Sequence, residues 1–190
     1  MAQPPVWHPF LTELQQAIDP DADGQDYYGF YNALLTIAFP FDQRYIVAPQ
    51  TYPNTQTERT PFDNLINYYV QFGKYIVLGV EVKPSNVFSY PSWIASAQEQ
   101  VYARFRTMRA TIRNAQLPTF VIISAIGFKC RVYTYTLATN QVEPPKLPST
   151  QDQWDIDITT DQGRVRLAAV FRGIRERSAL LPQNVDAMLP

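Results

Sequence analysis

Glu81 and Lys83 close the apolar run Tyr75-Ile76-Val77-Leu78-Gly79-Val80, and of all residues in this 190-residue chain they are the pair best suited to chemistry. Side chains of a strand alternate between its two faces, so Glu81 and Lys83 point one way and Val82 the other. An acid and an amine are therefore presented together at the end of what otherwise reads as a buried strand. A second carboxylate, Asp63, precedes another strand-like run, Asn64 to Phe72, and Gly73-Lys74 supplies a turn between the two runs. With the turn at either Phe72-Gly73 or Gly73-Lys74, an antiparallel hairpin sets Asp63 opposite residue 82 or 84. Direct and diagonal cross-strand neighbours lie within roughly 5–8 Å. Asp63, Glu81 and the backbone carbonyl of Val82 make an oxygen set for a hard divalent cation, Mg²⁺ or Mn²⁺, which retains waters that a phosphate can displace. Lys83 could orient or deprotonate an attacking water and offset charge on a pentacovalent phosphate.

Positioning these groups requires a framework, and the pattern of the chain supplies one. Phe10 to Ile18 reads as a short helix ended by Pro20, and Tyr28 to Phe39 as a second, largely buried helix. Between them Asp19, Asp21, Asp23 and Gly24 follow a calcium-loop spacing, but Phe30 stands where a bidentate Glu is required, so the stretch reads as a solvated turn. Arg44 to Tyr52 reads as a first strand, and Pro49 and Pro53 keep it short or at an edge. After the hairpin, Pro84 stops the third strand and Pro91 opens a long helix through Ala115. Ile94, Ala97, Val101, Phe105, Met108 and Ile112 recur at steps of three and four and form its core stripe. Beside that stripe run Gln98, Tyr102, Arg106, Arg109 and Arg113, a polar line on one flank. Pro118 to Ile126 and Phe128 to Leu137 read as two further strands with a turn near Gly127. Val142 to Pro148 is a stiff, exposed connector, Trp154 to Ile158 a strand, and Arg164 to Arg177 a final basic helix.

Pro61-Phe62-Asp63, the 18-residue step to Glu81 and the tripeptide Glu81-Val82-Lys83 resemble the PD-(D/E)xK signature of restriction-endonuclease-like nucleases, with Phe62 interrupting the Pro-Asp pair. The core of that family runs helix, three strands with the acids on the second and third, helix, strand, and residues 27–138 follow the same order. The resemblance implies an α/β fold, a mixed β-sheet flanked by helices, in one domain over 1–190 with an added C-terminal strand and helix. It implies hydrolysis of phosphodiester bonds in nucleic acid with Mg²⁺ or Mn²⁺, DNA more than RNA, and catalytic roles for Asp63, Glu81, Lys83 and Gln98. Gln98 and Tyr102 resemble the Gln-x-x-x-Tyr pattern of an exonuclease-like branch. That places Gln98 near the metal end and Tyr102, Arg106, Arg109 and Arg113 along a nucleic-acid backbone. Glu13 stands as the further acid that the superfamily often draws from its first helix. Such enzymes often dimerise, so a homodimer belongs among the expected partners. Two alternatives come from other classes: a non-catalytic member of this fold that binds nucleic acid or protein, and an interaction module built on aromatic residues such as Tyr68, Tyr69, Tyr90 and Trp93.

Composition narrows the field. At 46% hydrophobic content, 190 residues can bury a substantial core, and one domain is the expectation. No apolar stretch reaches the roughly 18 residues of a membrane span, and no basic-then-apolar leader is evident, so an intracellular setting, cytoplasmic or nuclear, is expected without membrane contact. Cys130 is the only cysteine, which removes an internal disulfide and any multi-cysteine zinc site. His8 is the only histidine and stands beside Pro9, a poor base for a Ser-His-Asp or Cys-His arrangement. Phosphate-loop and dinucleotide glycine patterns are absent. The net charge of −1 hides segregation: residues 1–63 hold eight acids and two bases (−6), and residues 64–190 nine acids and fourteen bases (+5). A basic second half could track a phosphate backbone.

Overall fold

In the computed structural model, which describes residues 7–19, 24–51 and 66–182, the chain order is α1 (Pro9–Ala17), α2 (Gly24–Ala38), β1 (Tyr45–Thr51), β2 (Ile66–Phe72), β3 (Tyr75–Lys83), α3 (Pro91–Asn114), β4 (Thr119–Ile126), β5 (Lys129–Thr136), β6 (Gln141–Glu143), β7 (Ile156–Asp157) and α4 (Asp161–Ser178). Local signals explain the ends. Proline occupies the first turn of α1 and of α3, where its missing N–H costs nothing. The side chain of His8 accepts a hydrogen bond from the Phe10 N–H, and Thr160 caps α4 by accepting from the Gly163 N–H. Gly73 takes φ +55° in the hairpin turn, a conformation that costs a residue with a Cβ.

The described strands form one mixed sheet in the order β1-β2-β3-β4-β5-β6, with β7 also on β5. β3 and β4 are parallel, joined by the α3 crossover, and every other pair is antiparallel. Register separates the two faces. Tyr68, Val80, Val82 and Cys130 look toward α2: the Tyr68 hydroxyl donates to the Tyr28 carbonyl at 2.7 Å, and the Tyr31 hydroxyl lies 3.4 Å from Cys130 Sγ. α1 and α4 lie against α2, with Trp7 stacked on Phe30 at 6.0 Å and Phe171 edge-on to Phe39 at 5.3 Å. The other face carries Asn67, Glu81, Ser124 and Arg131 in one cross-strand row and is covered by α3. Phe105 of α3 meets Phe120 and Tyr135 there, and the whole expected stripe from Ile94 to Ile112 is buried. At about 1.5–3 kcal/mol for each large side chain, that stripe fixes how α3 lies on the sheet.

The expected elements form, with three differences. α2 begins at Gly24, four residues before Tyr28, so residues 24–30 of the calcium-like spacing lie in a helix. Of the two readings its prolines left open, short or at an edge, β1 takes the edge among the described strands. The proline-rich connector is not wholly exposed: Gln141–Glu143 pairs with β5, and the segment beyond it is tied to α3. The strand expected over Trp154 to Ile158 shortens to Ile156–Asp157 because a 3₁₀ turn, Gln151–Gln153, runs into it. Among the described residues no helix is long and apolar enough to cross a membrane.

Candidate functional site

A β-bulge decides what stands beside Glu81. Val70 pairs with Leu78 but Gln71 with Ile76, so β3 carries one extra residue, Val77, and the register beyond it shifts by one. A regular hairpin would set Asn67 against Val80. With the bulge, Asn67 faces Glu81 directly, and the two side chains share the α3 face. Across β4 the row continues through Ser124 to Arg131 of β5. Asp63, with Pro61 and Phe62, lies outside the described residues.

Glu81 and Lys83 meet as their spacing requires, and both are buried, 2% and 1% exposed. Lys83 Nζ lies 3.6 Å from Glu81 Oε2, and Arg104 Nε of α3 lies 3.8 Å from Oε1. These are ionic contacts beyond hydrogen-bond length. Both carboxylate oxygens, Lys83 Nζ and both amide atoms of Asn67 are sealed from solvent without a hydrogen-bond partner among the described residues. Each such group costs about 1–3 kcal/mol, more when charged, so the row is expensive as pure structure. Burial pulls the Lys83 ammonium below its ordinary value, and Glu81 opposes that pull. One carboxylate against two cations leaves the described cluster net positive.

The flank of α3 behaves differently from the strand pair. Gln98 is buried; with its amide oriented to satisfy its neighbours, its nitrogen donates to the Leu147 carbonyl at 2.8 Å and to Ser149 Oγ at 2.9 Å, and its oxygen accepts from Arg131 at 3.2 Å. The Tyr102 hydroxyl donates to the Pro144 carbonyl at 2.7 Å. Both residues thus strap the connector onto α3. Arg106 is exposed and pairs with Glu99 at 3.1 Å, and Lys146 pairs with the same carboxylate, which the two hydrogen bonds hold below the usual range. Arg109 and Arg113 are exposed and make no ion pair among the described residues. Glu13 is exposed on α1, a helix packed on α2 rather than on α3. Val82 pairs with Ile66 on one side and Ala125 on the other, so its carbonyl lies within the sheet.

Asn67, Arg104, Ser124 and Arg131 enter the row without having been singled out in the sequence. Arg131 carried a signal: a charge between the apolar Cys130 and Val132, inside a strand. It lies 5.0 Å from the Tyr133 ring centroid and 5.6 Å from that of Trp154, and it donates to Gln153. Burial pushes the Tyr133 phenol up to about 12, so it remains a neutral wall. Asn67 is invisible to periodicity, because only the bulge gives it its neighbour.

Fold and row together describe a mixed-sheet α/β protein with a buried acid–amine pair at the end of a central strand. Family models, curated proteins and solved structures were each compared with the chain, and none matches it. Among the described residues no three His, Cys, Asp or Glu side chains gather as a metal site, so the cation set inferred from the sequence depends on Asp63 joining Glu81.

Proposed function

We propose that this chain is a nuclease-type phosphodiesterase of the restriction-endonuclease-like class, acting on nucleic acid, DNA more than RNA. The observation that carries the reading is the carboxylate of Glu81, buried with both oxygens lacking a hydrogen bond among the described residues and faced by Lys83 and Arg104. Such oxygens fit a hard cation, Mg²⁺ or Mn²⁺, held by Glu81 together with Asp63. When bound, the cation supplies Lewis acidity toward a phosphoryl oxygen. Lys83 and Arg104 offset charge that builds on the phosphate, and Asn67, directly opposite Glu81, offers an amide to orient water or phosphate. The order α2, β1, β2, β3, α3, β4 also agrees with the family core that the sequence resembles. Arg109 and Arg113, on the helix that covers this face, supply uncommitted charge for a phosphate backbone.

The test is cleavage of DNA and RNA by the purified chain with Mn²⁺, beside Asp63→Ala and Lys83→Ala. Expected is activity in the parent and a loss of at least about a hundredfold in each variant, the scale of removing one charge-stabilising group. Undiminished cleavage in both variants would remove these residues from the mechanism. Nucleic-acid binding without cleavage in the parent would favour the non-catalytic alternative.

A further inference from the structure

A cleft of about 560 Å³ opens at the carboxyl end of the parallel pair β3 and β4, within the size range of small-ligand sites. Its lining includes Ser85, two residues beyond Lys83, and Ile126, which pairs with Lys83 across the two strands, so it lies beside the backbone end of β3. The floor is preformed. Gly127 turns at φ +57°, a Cβ there would meet that of Ser85 at 3.0 Å, and its carbonyl accepts from the Tyr31 hydroxyl at 2.9 Å.

Three aromatic residues contribute to the walls. Tyr27 and Phe128 meet edge to face at 5.1 Å, and Phe88, half-buried, has Lys129 Nζ 5.9 Å from its ring centroid. Among the described lining residues Lys129 and Arg164 stand against Asp157. Asp157 accepts from the Thr159 N–H and hydroxyl, and Arg164 donates to the carbonyls of Thr159 and Thr160. Lys129 has no carboxylate partner among the described residues and carries the uncommitted charge. The Gln15 amide is held on the Ile158 carbonyl at 3.3 Å, which fixes a polar edge in the same lining.

Rings, a fixed amide and a cation without a carboxylate partner among the described residues suit a nucleotide whose base is unpaired. The geometry points to this cleft as a pocket for a single nucleobase of a single-stranded nucleic acid, with Lys129 on the adjoining phosphate. This assignment rests on the phosphodiesterase reading and narrows it to strands with an unpaired base. A base inside a duplex reaches such a pocket only after unstacking and unpairing, so duplex is disfavoured.

The experiment uses the full chain in EDTA, which separates binding from cleavage, and a short DNA strand with terminal 2-aminopurine, alone or annealed to its complement. Expected is 2-aminopurine quenching and at least tenfold tighter binding of the single strand. Phe88→Leu, which keeps apolar volume and removes the ring, is expected to weaken that binding by about tenfold, the scale of one base–aromatic stack. Lys129→Ala is expected to lower the salt slope by about one. Circular dichroism confirms that each variant is folded. Equal affinity for single strand and duplex, or quenching untouched by Phe88→Leu, overturns the assignment. Quenching without any Mn²⁺-dependent cleavage would leave the base pocket standing and remove the phosphodiesterase reading, and cleavage confined to duplex would do the reverse.

Discussion

Lys83 sits where burial disfavours its charged form, and this has measurable consequences for stability. Burial lowers its proton affinity, while unfolded lysine titrates near 10.4. Between the lowered folded value and about 10.4, the unfolded chain binds a proton that the folded chain has released, so stability rises with pH through that window. Urea unfolding of metal-free protein across the alkaline range is expected to show this rise in the parent, and the rise is expected to be missing in Lys83→Met. At neutral pH the single variant leaves Glu81 facing Arg104 alone and is expected to lose about 1–3 kcal/mol. Glu81→Leu with Lys83→Met removes both charges and is expected to equal or exceed the parent in stability. A double variant weaker than the single one would show that the pair serves the fold rather than chemistry. Glu81 and Lys83 were legible from one tripeptide because alternation in a strand is rigid. Asn67 and Arg104 were not, since a bulge and a helix crossing brought them there.

Elements, rather than residues, set how tightly the cleft and the row are built. α4 approaches β7 so closely that a Cβ on Gly163 would lie 1.8 Å from the Asp157 carbonyl oxygen. Gly163→Ala must therefore push the first turn of α4 off the strand, a change expected to cost about 2–3 kcal/mol in urea unfolding. Gly173 gives the contrast, since the nearest atom to a new Cβ is the Arg177 guanidinium nitrogen at 3.2 Å, the free end of a flexible side chain. Gly173→Ala is expected to be neutral or to gain up to about 1 kcal/mol from helix propensity. Equal losses in both would deny any special packing between α4 and β7. Helix α3 was the most legible element, its stripe of six apolar residues matching the buried face. The connector was the least legible, because its attachment uses Tyr102, Gln98 and backbone carbonyls, contacts that no periodicity announces.

Over the whole molecule the excess of basic residues after residue 63 divides between opposite layers, α3 on one face of the sheet and α4 on the other. Linear charge therefore overstates any single basic surface. On α3, Arg106 shares Glu99 with Lys146, while Arg109 and Arg113 are exposed and make no ion pair among the described residues. Replacing Arg106, Arg109 and Arg113 together is expected to reduce the slope of log affinity against log salt by about two rather than three. Binding measured over a range of salt concentrations checks this, and an unaltered slope would take α3 out of the nucleic-acid interface.

By itself the sequence determined the alternation of apolar runs and turns, the long amphipathic α3 and the placing of Glu81 and Lys83 on one face of a strand. All of these follow from forces acting within a few residues along the chain. The tertiary structure decided the parallel contact of β3 with β4, the one-residue bulge, the sealing of Glu81 beneath α3, and the cleft beyond Lys83. Each depends on which distant segments share the buried space, and close packing settles that only when the whole chain is folded.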